Sequence, residues 1–539
     1  MPRKASNKQS FLHGAVILAA ATALIKVIGA IFKIPLVNIL GAEGFSNFII
    51  SYGVYNFFIT VSTTGLPVAL AKMISEANAL ERENQVRRIF RVTFQAFLCV
   101  GLFGTLVMAV FCKPLSVLLG DELAWTSVLA LAPALLFVCV MSAFRGYFQG
   151  LSNMKPTAVS QIIEALGKLV FGLSLAYIIV KNSNSVFLGS AGSIVGVTLG
   201  TVLGALYLFT SKLRDRATRS PGNDTPDSQR EILKKLLALA VPITLGSSIL
   251  SLLTMADNAI VLHRLRSALG YTASLARTLN GSYGSAQTVY NFPIAFITPL
   301  AVSIIPHISE NLALKRVKQA AGLTESAMRI TALIAQPASA GLCILSGPVL
   351  RLLYYSRPDV YSTAEPLLRL LAPVVFFNSF VLLTNAILQS NGYVKIPLYS
   401  MLIGGVIKIV VNWFLVAIPS LNIAGAPIGS ICCFAFIVVF NVAAIFRLFP
   451  EKLSLARMFL RPLVSTAVMS AAVWAVYSLL ERTFSDRSGF IYTAIATLAA
   501  VAVGVAVYAV LIIVTKALRK EDLALLPKGE KIALYLKLK

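Results

Sequence analysis

The amino-acid sequence predicts an all-α polytopic membrane protein of about fourteen transmembrane helices, with two pseudo-symmetric six-helix lobes and two extra C-terminal helices. Three observations carry this: a composition too apolar for a water-facing surface, apolar runs of membrane-crossing length, and an internal repeat.

Of the 539 residues, 57% are hydrophobic and 13% charged, with a mean hydropathy of +0.81. Soluble globular chains carry about a quarter charged residues, so this chain cannot cover itself against water. Its apolar residues fall in runs such as Ala124–Phe144, Thr157–Val180, Val186–Phe209 and Ile491–Val514. Each is near the ~20 residues that cross ~30 Å of hydrocarbon.

The first run starts at Phe11 and continues to Val37 with Lys26 and Lys33 inside it. It is too long for a signal h-region and reads as a retained first span. The spans follow at 11–35, 44–70, 90–112, 123–144, 157–180, 186–211, 236–263, 283–306, 330–354, 365–388, 397–418, 422–446, 462–481 and 488–515. Most of the 47 Lys and Arg lie at the termini or in loops after even-numbered spans. Basic residues accumulate on the cytoplasmic side, so both termini are expected there. The net charge of +25 is thus a topology signal, and nucleic acid is not an expected partner. The six cysteines all lie within apolar runs without zinc-ligand spacing, which reads as packing. No cofactor or metal is expected.

Two stretches match at a constant offset. Leu131-Ala132-Pro133 corresponds to Leu371-Ala372-Pro373, Phe137 to Phe377, Gln149 to Gln389, Lys155 to Lys395 and Lys168 to Lys408. Tyr55-Asn56-Phe57 parallels Tyr290-Asn291-Phe292, and Pro114 parallels Pro348. Six spans recur in the same orientation, a parallel repeat whose halves can alternate access by rocking. The expected domains are an N-terminal lobe (1–211), a basic, flexible cytoplasmic linker (212–235, with Arg214, Arg216, Arg219, Pro221, Gly222 and Pro226), a second lobe (236–446), and the last two spans with a basic tail (447–539). The tail suits anionic headgroups, though a solvated tail fits equally.

Ionised residues within spans are costly, so they suggest a wet cavity or a partner. Lys26 and Lys33 sit nearly two turns apart on one face of span 1, roughly 10 Å from each other. Thr22, Gly29 and Ala30 leave that face open, which suits a diphosphate; snorkelling of Lys33 to the interface is the plainer reading. Glu164 precedes Lys168 by four residues, the favourable spacing for a helical ion pair. In the repeat Gly404 stands where Glu164 does, so Lys408 needs water, substrate or a distant carboxylate. Asp257 and Arg264 share one face of span 7 and read as a gate, an interface anchor or a structural pair.

The chain resembles the MurJ-like and stage V sporulation protein B-like branch of the multidrug/oligosaccharidyl-lipid/polysaccharide exporter superfamily. The resemblance rests on Leu24-Ile25-Lys26-Val27-Ile28-Gly29, Gly65-Leu66-Pro67 through Ile74-Ser75-Glu76, and Arg145-Gly146-Tyr147-Phe148-Gln149-Gly150. Lys155-Pro156, Gln161-Ile162-Ile163-Glu164, Ala240-Val241-Pro242-Ile243, Asp257 with Arg264-Leu265, and Leu279–Tyr283 extend it. It implies two six-helix lobes around a cationic cavity lined by spans 1, 2, 7 and 8, and a lipid-tail groove at spans 13 and 14. It also implies undecaprenyl-diphosphate-linked saccharides such as lipid II as substrates, in a bacterial cytoplasmic membrane. Lys26 matches a basic position of the family. The chain departs at Ile59-Thr60, where relatives often carry arginine, and at Asn47, where some carry aspartate. On this reading Lys26, Lys33, Lys408 and Arg264 bind substrate, while Asp257, Glu164, Lys168 and Arg145 gate or form ion pairs.

Three rivals stand beside this reading. A cation/drug antiporter of the same superfamily would need a more acidic interior. A membrane-embedded enzyme would need a catalytic acid, base or metal site; the histidines His13, His263 and His307 are scattered, so no catalytic residue is assigned. A scaffold recruiting cell-wall synthesis enzymes would tolerate loss of its buried lysines.

Overall fold

The computed structural model describes residues 4–215, 224–314, 316–448, 454–483, 489–518 and 522. Outside them lie Arg216, Arg219, Pro221 and Gly222 of the linker and nearly all of the basic tail, as do the side chains of His13, Pro242 and His307.

The described residues form helices and turns without a strand. One compact unit spans 1–266 and 271–281; the other spans 267–270 and 282–539. The first holds α1 (Lys4–Thr63), α2 (Gly65–Ala79), α3 (Glu83–Val110), α4 (Cys112–Leu118), α5 (Trp125–Gly150), α6 (Lys155–Ser183), α7 (Val186–Arg214) and α8 (Gln229–Ser267). Helix α9 (Ala273–Ala313) begins in the first unit and continues in the second. The second also holds α10 (Val317–Ile344), α11 (Ser346–Leu353), α12 (Pro358–Ser390), α13 (Lys395–Leu415), α14 (Gly425–Leu448), α15 (Leu455–Thr483) and α16 (Phe490–Val514). Span 7 therefore sits in the first unit, whereas the repeat assigns it to the second half of the chain.

Among the described residues, twelve helices are long and apolar enough to cross a bilayer. One of them, Leu24–Ala79, has 56 residues, roughly 80 Å of helix and more than two bilayer cores. Helix α9, outside the twelve, has 41 residues and is also long enough to cross. The architecture is the expected all-α polytopic one, with a count near fourteen. The break expected between spans 1 and 2 is present, though as a kink rather than an open loop: α1 is two helices that meet where Gly41 takes φ 68° and ψ −177°. Glycine alone enters that left-handed region without a Cβ penalty.

The repeat is visible in three dimensions. A long helix, a short one carrying Pro114 or Pro348, and a long one carrying Pro133 or Pro373 recur as α3-α4-α5 and α10-α11-α12. Thr105 Oγ1 donates to the Ala132 carbonyl at 3.0 Å, and Ser339 Oγ donates to the Ala372 carbonyl at 2.8 Å. Both carbonyls belong to the residue directly before the repeated proline, so the same hydroxyl-to-carbonyl contact recurs at equivalent places in the two halves.

In the first unit α6 and α7 approach closely through glycines. A Cβ on Gly196 would collide with the Gly172 backbone, and one on Gly200 would lie 2.7 Å from the Glu164 carbonyl and 2.8 Å from the Lys168 amide. Small residues let helix backbones meet in lipid. In the second unit Ile330, Phe380, Leu383, Ile387 and Met458 form one core. Tyr508 of α16 donates to the Leu333 carbonyl of α10 at 2.8 Å, fixing the helices of spans 13 and 14 to the second unit.

The linker is only partly a linker. Asp224 accepts from the backbone amides of Asn84 (2.8 Å) and Gln85 (2.9 Å) at the free N-terminus of α3. Arg82 binds Asp227 at 2.9 Å, and Gln85 holds both the Asp227 carboxylate and its amide at 2.7 Å. Residues 224–228 are thus docked, and α8 starts at Gln229 rather than near 236. Unpaired N–H groups at a helix start attract a carboxylate, here one supplied from far along the chain.

Candidate functional site

After Gly41, α1 carries an aromatic residue every three or four positions. Phe45, Phe48, Tyr52 and Tyr55 stack along one face with successive ring centroids 5.9, 5.3 and 5.5 Å apart. Lys168 of α6 reaches this face. Its Nζ donates to the Tyr52 hydroxyl at 3.0 Å and lies 4.2 Å from the Tyr52 ring centre and 4.8 Å from that of Phe32. A cation held over two rings keeps a favourable contact in a water-poor setting.

Lys168, Tyr52, Tyr55, Gln161, Glu164 and Arg145 share the wall of a cavity of about 260 Å³ with apolar residues of α1. The expected Glu164–Lys168 pair is not what forms. Arg145 of α5 takes the Glu164 carboxylate, Nη2 to Oε2 at 2.9 Å, and donates from Nε to Ser160 at 3.1 Å. A guanidinium offers several directed donors to carboxylate and hydroxyl at once, which an ammonium cannot match. Lys168 is left to the rings.

The same junction in the second unit is neutral. Asn385, Ser400 and Gly404 stand at the repeat positions of Arg145, Ser160 and Glu164. There Asn441 donates to Asn385 at 2.8 Å and accepts from Ser400 at 2.8 Å. Gly404 is explained by packing, since a Cβ on it would fall 2.6 Å from Ile437. Amides and hydroxyls suffice to join three helices at this node, so the ion pair of the first unit exceeds what packing requires.

A second cavity, of about 290 Å³, lies in the first unit between α1 and α8. Its polar lining is Lys33, Tyr52, Asn56, Ser251, Thr254 and Asn258, with no carboxylate among the lining residues. Ser251 also binds Thr60 at 2.9 Å. Among the described residues Lys33 has no salt-bridge partner. Tyr52 belongs to both cavities.

Lys26 is exposed and lies off these cavity walls, on the Lys33 side of α1. On α8, Asp257 is buried and Arg264 half-buried. Lys408 is half-buried on α13, within electrostatic reach of Tyr290. Within the first unit Lys33 and Lys168 face adjoining cavities and Arg145 is committed to Glu164; Lys408 belongs to the other unit.

One cluster was almost without signal in the sequence. Arg277, near the start of α9, meets Glu43 at 2.7 Å and the fully buried Asp121 at 3.5 Å. Asn47 donates to Asp121 at 3.3 Å and accepts from Ser127 at 2.7 Å, while Asn280 donates to Ser46 at 2.9 Å. Burial pushes the Asp121 carboxyl above its usual range, with Arg277 pulling the other way. These residues are far apart in sequence and belong to loops or helix ends, where periodicity is silent. Only the departure at Asn47 pointed toward the place.

Apolar crossing helices that enclose cationic, hydroxyl-rich cavities define a multi-pass membrane transporter of flippase type. The chain belongs to the polysaccharide biosynthesis protein family, whose model matches residues 11–312, within the multidrug/oligosaccharidyl-lipid/polysaccharide exporter superfamily. A MatE family model matches residues 242–414. Lipid II flippase MurJ of Bacillus subtilis is 26% identical, over 92% of this chain and 94% of that protein. Stage V sporulation protein B of the same organism is 24% identical, over 96% and 98%. Among solved structures, a lipid II flippase MurJ in an inward closed conformation aligns over 92% of this chain and 98% of that one, at TM-score 0.69 and 14% identity. An inward-facing multidrug resistance MATE family transporter aligns at TM-score 0.66 and 16% identity, over 80% and 98%.

Proposed function

We propose that the chain translocates an undecaprenyl-diphosphate-linked saccharide, lipid II or a related cell-wall or polysaccharide precursor, to the outer leaflet by alternating access. The observation that carries this is the cavity beside Lys33: one ammonium, five neutral hydrogen-bonding side chains and no carboxylate. That set matches a sugar bearing phosphate, whose hydroxyls need donors and acceptors and whose charge needs a cation. Lys26, Lys33, Lys408 and Arg264 are assigned to substrate, and Asp257, Glu164, Lys168 and Arg145 to gating or ion pairing. The protein acts as a transporter rather than an enzyme, with both termini in the cytoplasm of a bacterium. Its basic tail contacts anionic lipids, and cell-wall synthesis enzymes are its candidate protein partners.

The test is genetic. Expression should restore growth to cells depleted of their lipid II flippase, or restore the missing polymer to cells lacking a polysaccharide precursor flippase. Failure of both, with normal membrane insertion, would contradict the proposal. A cation/drug antiporter is the second reading, favoured by the MatE match and by Glu164 at the first cavity. Resistance to cationic dyes on expression would support it.

A further inference from the structure

Tyr52 is the one residue shared by the walls of the two cavities described above. Its hydroxyl oxygen accepts from Lys168 at 3.0 Å. A phenol has a single proton to give. With the ammonium donating to its oxygen, that proton must turn away from Lys168, and among the described residues no acceptor takes it.

Lys33, on the wall of the second cavity, lies within electrostatic reach of Lys168. Among the described residues neither lysine forms a salt bridge with a carboxylate. The carboxylate that helical spacing offered to Lys168 is held by Arg145 instead. Two ammonium groups near one another in a water-poor setting repel, and an anion beside them relieves that repulsion. A donor hydroxyl held by Lys168, on a residue that shares a cavity wall with Lys33, suits a phosphate-class oxygen. The rings of Phe32 and Tyr52 fix Lys168 in place, so the hydroxyl is oriented before any ligand arrives.

We propose that Tyr52, oriented by Lys168, donates its hydroxyl proton to the diphosphate of the lipid-linked substrate beside Lys33, and that Lys168 serves the anion through Tyr52 as a positioning residue. This rests on the substrate reading above and adds a donor from α1 and a supporting cation from α6.

The test is a double-mutant cycle on the purified full-length protein in nanodiscs, with undecaprenyl diphosphate as the probe and undecaprenol as the uncharged comparison. Wild type should prefer the diphosphate. Tyr52→Phe and Lys168→Met should each weaken diphosphate binding about tenfold, as expected for one hydrogen bond to a charged group. The double variant should be no weaker than either single one, because the two act as a unit. Undecaprenol binding should be unchanged throughout, which a general structural defect would not allow. Lys168→Arg keeps a cation and a donor and should bind within about threefold of wild type; it also covers the case in which Lys168→Met fails to fold. Multiplying losses in the double variant, or wild-type binding by Tyr52→Phe, would overturn the inference while leaving the substrate reading intact. A wild-type protein that does not discriminate diphosphate from alcohol would overturn the substrate reading and this inference with it.

Discussion

Arg145 Nη2 and Glu164 Oε2 lie 2.9 Å apart and join α5 to α6 on the wall of the first cavity. The side chains are only 14% and 24% exposed, so removing one partner leaves a charge with little water to turn to.

Arg145→Asn should therefore destabilise the protein by about 1–3 kcal/mol, the cost of an unsatisfied, largely buried group. Arg145→Asn/Glu164→Gly imports the residues found at the repeat positions and should recover much of that stability without recovering transport. Thermal melting in detergent and a flipping assay separate the two effects. A double variant that melts and transports like wild type would make the pair purely structural.

On the proposed substrate reading, Lys26→Ala should insert and fold normally yet fail to support transport, since Lys26 is exposed on the Lys33 side of α1. Lys26→Arg should keep much of the activity. Membrane yield and complementation, measured together, check both statements. Full complementation by a well-expressed Lys26→Ala protein would remove Lys26 from the site.

A Cβ added to Gly200 would lie 2.7 Å from the Glu164 carbonyl oxygen and 2.8 Å from the Lys168 amide nitrogen. Gly200→Ala must push that turn of α6 away, costing about 1–3 kcal/mol as overpacking does. The displacement carries Glu164 from Arg145 and Lys168 from Tyr52, so transport should fall further than melting temperature suggests. The control is Gly322→Ala, at a position where a Cβ meets nothing within 4 Å. Equal effects at both positions would refute the packing argument.

The docking of Asp224 on α3 should depend on pH. What burial its carboxyl has works upward, but hydrogen bonds from the Asn84 and Gln85 amides and the nearby Arg82 hold it below the usual carboxylate range. A carboxyl lowered by folding stabilises the docked form above its unfolded value of about 3.9 and loses that effect as pH falls through the lowered value. Amide exchange at Asn84 and Gln85 should be slow near neutral pH. It should approach the Asp224→Asn rate only in strong acid, each pH being compared with that variant. Equal exchange in both proteins at pH 7 would contradict the assignment.

How much of this was legible in the sequence follows from the range of each interaction. Run length acts locally, so spans such as 157–180 and 186–211 emerged close to α6 and α7, whereas the span expected at 330–354 missed the start of α10 at Val317; ordered matches such as Pro133 with Pro373 revealed the repeat. The choice of Arg145 over Lys168 by Glu164 depends on the proximity of α5 to α6, which spacing along one helix cannot show. The break between the first two spans was legible, but not that it closes to a kink at the single residue Gly41. Spacing put Lys26 and Lys33 on one face, but it could not show that only Lys33 lines one of the two cavities or that Lys168 binds Tyr52. Arg277 with Glu43, and Asp224 with Asn84, join residues more than a hundred positions apart and gave no pattern at all.

The most direct test of the account is a leaflet-accessibility measurement on the purified protein in proteoliposomes carrying a fluorescent undecaprenyl-diphosphate-linked saccharide. Wild type should expose the labelled headgroup to an impermeant quencher, and Lys33→Met should slow this at least about tenfold, since a desolvated cation–phosphate contact is worth more than 1.4 kcal/mol. Equal exposure in protein-free vesicles, wild type and Lys33→Met would contradict the assignment of this chain as a carrier of lipid-linked saccharides.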